Sequence, residues 1–187
     1  MIHFNRKYIL RYAYLILLTL FLFTQINSSY AAEKANYKYA TPSLISEYEQ
    51  INSSDEFWLL FQLDLKKEWH SYWRNPGDSG LAPKLNWNLP KGVIVSEIYW
   101  QSPKRFDYEL IMNFGYSEQA YYLVKIIPEK PITSDNLEIG LNADWLVCKE
   151  DCIPESASLN ISIPVRSDTI KSPFAEKIDN LAQSAIY

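Results

Sequence analysis

The chain holds two cysteines, Cys148 and Cys152, in a C-x3-C spacing within Asp144-Trp145-Leu146-Val147-Cys148-Lys149-Glu150-Asp151-Cys152-Ile153-Pro154. Two thiols this close can interconvert between dithiol and disulfide, a two-electron step that proceeds by attack of a thiolate on sulfur. As a structural staple the pair is poorly placed. Closing a loop of about five residues removes roughly 2 kcal/mol of unfolded-state entropy, against roughly 4 or more for a loop near a hundred. Reactivity belongs to the thiolate and is set by its surroundings. Lys149 is flanked by Glu150 and Asp151, and no helix start follows, so the local sequence supplies no strong electropositive field. That pattern describes a passive relay rather than a strongly oxidising catalyst.

Two other readings compete with the relay. Cysteines facing each other across a tight turn can meet the Cα separation a disulfide requires, and the result could be an ordinary hairpin clip in a non-catalytic binding module. Alternatively, two thiolates could hold Cu(I), with His70 or Met112 as a third ligand. Beyond residue 31, His70 and Met112 are the sole histidine and methionine, and neither follows the cysteines at motif spacing. Zinc would have to recruit carboxylates, since no second Cys or His pair exists. The leading reading therefore requires no metal and no cofactor. His70 itself lies in Glu68-Trp69-His70-Ser71-Tyr72-Trp73-Arg74, where strand alternation puts Trp69, Ser71 and Trp73 on one face and His70 and Tyr72 on the other. It reads as a hydrogen-bonded sheet histidine. No Ser-His-acid spacing points to a hydrolase and no glycine-rich loop to a phosphate site.

The elements that must position the cysteines follow an export signal. Arg6, Lys7 and Arg11 precede an apolar run from Tyr12 to Phe23, then polar residues lead to Ser29-Tyr30-Ala31. This is a secretory signal over residues 1–31, cut after Ala31. The alternative is an uncleaved anchor, although the run of about a dozen residues falls short of the roughly 20 that span a bilayer. No later stretch is long enough to cross. Of the 18 Lys and Arg, three lie in the signal, which leaves 15 bases against 22 acids in the exported part. So acidic a surface gives no electrostatic case for nucleic acid or an anionic membrane.

Short apolar segments recur at Leu44–Ile51, Phe57–Leu65, Trp69–Trp73, Leu85–Leu89, Val93–Trp100, Ala120–Ile127, Leu137–Val147 and Ala157–Val165, nearly all separated by turn residues such as Asn75-Pro76-Gly77-Asp78-Ser79-Gly80. Many short strands in one domain, with period-two faces such as Leu85, Trp87 and Leu89, predict an all-β sandwich over residues 32–168. The tail, 169–187, predicts a helix: Ser172 as N-cap, Pro173 in the first turn, and Phe174, Ile178, Leu181 and Ala185 on one stripe.

Four segments carry a family resemblance. They are Trp69-His70-Ser71-Tyr72-Trp73-Arg74-Asn75-Pro76-Gly77-Asp78-Ser79-Gly80, Pro83-Lys84-Leu85-Asn86-Trp87-Asn88-Leu89-Pro90, Asn113-Phe114-Gly115-Tyr116, and Ala143 to Pro154 with both cysteines. In this order the chain resembles the periplasmic N-terminal domain of the DsbD/ScsB thiol:disulfide interchange proteins, closest to the ScsB-like branch. The resemblance implies an immunoglobulin-like β-sandwich whose Cys148 and Cys152 cycle between dithiol and disulfide. It also implies electrons taken from a membrane-embedded domain and passed to periplasmic thioredoxin-like proteins. By position, Ile111, Met112, Asn113 and Phe114 would form the cap that shields the cysteines. The family's cap carries acidic residues and a phenylalanine where Ile111, Met112 and Asn113 stand here, and its cysteines are more widely spaced. Full-length members continue into a multi-span membrane domain, whereas this sequence stops at Tyr187; the resemblance then implies either a separately encoded membrane electron-transfer partner or the front end of a split gene.

Overall fold

The computed structural model describes residues 37–108 and 110–186, without the side chain of Tyr108. The expected export signal and its cleavage point lie outside the described residues. The strands are β1 (Ala40–Ser46), β2 (Tyr48–Asn52), β3 (Phe57–Leu65), β4 (His70–Gly77), β5 (Lys84–Asn88), β6 (Val93–Val95), β7 (Tyr99–Trp100), β8 (Lys104–Tyr108), β9 (Ile111–Ser117), β10 (Gln119–Pro128), β11 (Asn136–Cys148), β12 (Cys152–Arg166) and β13 (Ile170–Lys171), and helix α1 covers Ala175–Ser184. Among the described residues no helix is long and apolar enough to cross a membrane.

The strands form two sheets. One runs β1-β3-β10-β6, with β7 also on β10, and the other runs β13-β2-β12-β11-β4-β9-β8, with β5 on β11. Strand β11 shows why they pack. Leu137, Ile139, Leu141, Ala143, Trp145 and Val147 alternate with more exposed residues, so one face of the strand is wholly apolar. That face meets Phe57, Leu59, Phe61 and Leu63 of β3 and Tyr122, Val124 and Ile126 of β10 in two adjoining clusters that fill the space between the sheets. The result is an immunoglobulin-like all-β sandwich. Leu85 and Trp87 pack against one of these clusters and Leu89 against the other, on the shared face that their spacing predicts. Strand β3 is buried on its outer face too, because Ile178 of α1 covers Leu60 and Leu123.

The tail and the middle of the chain differ in detail from the sequence reading. Helix α1 begins at Ala175, later than the first turn at Pro173 that the sequence predicts, with Phe174 as a cap residue lacking a side-chain bond; Ser172 stands just before it, its hydroxyl donating to the Ser46 carbonyl at 2.7 Å and accepting the Phe174 N–H at 3.2 Å in the manner of a cap. Phe174 is 47 % exposed and Ala185 lies beyond the helix, while Ile178 remains on the buried stripe. Residues Val93–Trp100 divide into β6 and β7, both paired to β10. The hairpin β8–β9 has no counterpart among the predicted segments.

One buried carboxylate fastens the sheet that carries the cysteines. Glu155, 3 % exposed, accepts backbone N–H groups of Lys38, Tyr39 and Ala40 and the indole N–H of Trp145, the residue opposite it in β11. A buried charge of this kind is tolerable only when its acceptor sites are filled. Here four donors fill them, and together they join the start of β1 to the hairpin β11–β12.

Candidate functional site: the disulfide at the hairpin tip

Strands β11 and β12 pair without interruption from Asn136↔Pro164 to Cys148↔Cys152, so the two cysteines are the last rung before the turn Lys149–Asp151. Strand β12 begins at Cys152, and Pro154 lies within it opposite Leu146. Proline is accepted there because β2 joins β12 only at Val165 and Arg166, which leaves this stretch as a sheet edge. Cys148 and Cys152 are joined by a disulfide, with their Cα atoms 4.2 Å apart. The turn is tied from outside: the Lys149 ammonium sits 3.0 Å from the Glu68 carboxylate, and the hydrogen bond with Glu68 raises the lysine pKa. Both groups are solvated, so the contact orients the turn more than it stabilises the fold.

The two sulfurs do not share one environment. Cys148 is 3 % exposed, whereas Cys152 is exposed. Strand alternation explains the setting. Val147 and Trp145 face the sandwich core, so Cys148 faces outward, beside its register partner His70 on β4. An outward residue is buried here because an aromatic group closes over it. The Tyr72 hydroxyl donates to Cys148 Sγ at 2.9 Å and lies 3.4 Å from Cys152 Sγ. The His70 ring meets Tyr72 edge-on at 5.2 Å between centroids and stacks on Phe106 of β8 at 4.7 Å. On the opposite face of β4, Ser71 bonds the Tyr122 hydroxyl at 3.0 Å, and Trp69 and Trp73 pack on the core.

Residues Ile111 to Phe114 belong to β9, which pairs with β4 and β8. Register places Asn113 opposite Phe106, on the face that carries His70 and Cys148, and Ile111 shares that face; Met112 and Phe114 take the face of the core residue Tyr116. The Asn113 side chain is turned to the Asn75–Gly80 turn, where its carbonyl accepts from the Ser79 amide at 3.0 Å and its amide donates to Ser79 Oγ at 2.9 Å. Beside it, the Met112 N–H donates to Asp78 and the Asp78 N–H to the Met112 carbonyl. Gly77, at φ 90°, permits that approach, since a Cβ there would lie 2.2 Å from the Met112 oxygen. Among the described residues no group of three or more His, Cys, Asp or Glu side chains is arranged to hold a metal. A groove of about 310 Å³ reaches the hairpin two rungs below the disulfide, at Leu146 and Pro154, and is lined also by Leu81, Lys84 and Asp144. Leu81 on its rim is 62 % exposed.

Sequence reasoning located the cysteines and put Tyr72 on the same face as His70, yet it gave Tyr72 no role and did not single out Phe106. The alternation of Trp69–Trp73 carried the signal for Tyr72. Phe106, inside Lys104-Arg105-Phe106-Asp107, had none.

A short-loop disulfide closing a hairpin at the outer face of an immunoglobulin-like sandwich, one cysteine sheltered and one open, defines a thiol–disulfide interchange domain. Residues 41–162 match the family described as thiol:disulfide interchange protein DsbD, N-terminal, and the chain belongs to that family. Its fold is similar to that of the N-terminal periplasmic domain of ScsB from Proteus mirabilis, with a TM-score of 0.57 and 23 % sequence identity. That similarity covers 84 % of this chain and 60 % of the ScsB domain. No curated protein sequence matches the chain.

Burial lowers the His70 pKa below its ordinary value of 6.5. The unfolded chain therefore takes up a proton near pH 6.5 that the folded protein resists, so this group's contribution is complete above that pH and is lost as pH falls below it. Denaturant titrations should show stability falling as the pH drops below about 6.5, with a shallower fall in His70→Phe. Equal slopes in the two proteins would contradict this assignment.

Proposed function

We propose that the protein is an exported electron relay in which Cys148 and Cys152 alternate between dithiol and disulfide. In the reduced state the Cys152 thiolate attacks the disulfide of a thioredoxin-like periplasmic protein. A mixed disulfide forms as the partner's leaving sulfur departs as a thiolate. Cys148 then attacks Cys152 Sγ, which expels the partner's second thiolate and regenerates the Cys148–Cys152 bond; the partner has gained two electrons and the pair has lost them. A separately encoded membrane electron-transfer protein restores the dithiol by the reverse sequence. The single observation that carries this order of events is the asymmetry of the pair, since an intermolecular attack needs the open cysteine and resolution can use the sheltered one. The export signal read from residues 1–31, and the periplasmic origin of the ScsB domain with the similar fold, support the compartment.

The hairpin β8–β9 is the cover of the pair: of the four expected cap residues along its second strand, Ile111 and Asn113 share the face of the cysteines with Phe106, which lies on His70, whereas Met112 and Phe114 back the strand from its core face. It shields the bond from small reductants until a partner displaces it, because attack on a disulfide needs a nearly linear approach to sulfur.

Both parts have direct tests. Incubated with an oxidised thioredoxin-like protein, Cys148→Ser should accumulate a mixed disulfide through Cys152, detectable on a non-reducing gel, whereas Cys152→Ser should not. No adduct with either variant, or an adduct with Cys152→Ser alone, would overturn the order proposed. For the cover, Phe106→Ala should speed reduction of the pair by dithiothreitol several-fold. Unchanged rates would show that the hairpin is not a cap.

A further inference from the structure

The Tyr72 phenol is 1 % exposed, and its hydroxyl is aimed at the sulfur of the sheltered cysteine. What holds it there is the Asn75–Gly80 turn. Gly80, at φ 87°, lies against the ring: a Cβ at that position would stand 2.2 Å from both Cε1 and Cζ of Tyr72. The turn in turn is fixed to β9 through Asn113, itself 4 % exposed, and through the paired bonds of Asp78 with Met112. The ring therefore has the turn on one side and the His70 ring at its edge. Such confinement leaves the hydroxyl little freedom to seek another acceptor.

Opening the disulfide creates a problem that this arrangement answers. When an incoming thiolate bonds to Cys152 Sγ, the Sγ–Sγ bond breaks and its electron pair remains on Cys148 as a thiolate at a site almost closed to water. A buried anion is costly unless a hydrogen-bond donor meets it. We propose that Tyr72 is the donor that receives the Cys148 thiolate, and that the Asn75–Gly80 turn, pinned by Asn113, is the device that positions it. The bond to an anion is roughly twice as strong as the one to a neutral acceptor, so Tyr72 favours the opened state over the closed one. Formation of the mixed disulfide is thereby eased in one direction. By microscopic reversibility the same bond sets the nucleophilicity of Cys148 as the resolving thiol. The inference rests on the exchange reading above and assigns to it a group that touches the reacting sulfur.

The test uses the full exported domain and two readouts. First, reduction by dithiothreitol is timed in wild type and in Tyr72→Phe, which keeps the ring and removes only the hydroxyl; the variant should react about tenfold more slowly. Second, Cys148 is titrated alone, in a Cys152→Ala background, by ultraviolet thiolate absorbance. Adding Tyr72→Phe should raise its pKa by about one unit, and Gly80→Ala, which must displace the ring, should move it in the same direction. A wild-type bond that resists reduction altogether would sink the exchange reading itself. Normal reduction of wild type together with unchanged rate and unchanged titration in Tyr72→Phe would leave exchange standing and overturn the role of Tyr72.

Discussion

Because side chains in a strand alternate between faces, a slip of one residue in the register of β11 against β12 would turn every inward residue outward. In this hairpin the register runs unbroken from Asn136↔Pro164 to Cys148↔Cys152. It delivers Leu137 through Val147 to the core, sets Trp145 opposite Glu155, and brings the two cysteines level across a three-residue turn. Neither the disulfide nor the buried carboxylate could form in another register. The core residues and the disulfide are thus specified by the same pairing.

That pairing also keeps stability and chemistry on separate faces of one strand. The inward face of β11 contributes to the clusters that fill the sandwich, and Glu155 ties the start of β1 to it. The outward face near the tip carries Cys148, and on β4 the same division sends Ser71 to Tyr122 in the core and Tyr72 to the sulfur. A bond spanning so short a loop adds little to the fold. It can therefore open without removing what holds the sheets together, a property that a structural clip would not need.

The parts legible in the sequence were those set by local pattern. Period-two alternation gave the faces of Trp69–Trp73 and Leu85–Leu89, and the isolation of Cys148 and Cys152 marked the site. What escaped was decided by partners far along the chain. Strand β8 has no run of alternating apolar residues, and it is a strand because β9 pairs with it; Phe106 matters because the fold lays it on His70. Ser172 looks like a helix cap and does accept the Phe174 N–H, but its second bond, to Ser46 on β1, is set by a residue distant in sequence. Glu155 reads as an ordinary surface acid beside the cysteine motif, and its donors at Lys38, Tyr39 and Ala40 could not be paired with it from composition or spacing. The resemblance in Asn75–Gly80 was visible, but its physical purpose was not. Only packing shows that Gly77 lies under the Met112 carbonyl and Gly80 on the Tyr72 ring.

The central claim is that Cys148 and Cys152 form a working couple rather than a permanent bond, and the reduction potential of the pair tests it most directly. Equilibrated against glutathione and resolved by thiol labelling, the couple should lie between roughly −120 and −270 mV, the range of proteins that exchange disulfides with one another. A potential below roughly −300 mV, where structural disulfides sit, would contradict the account.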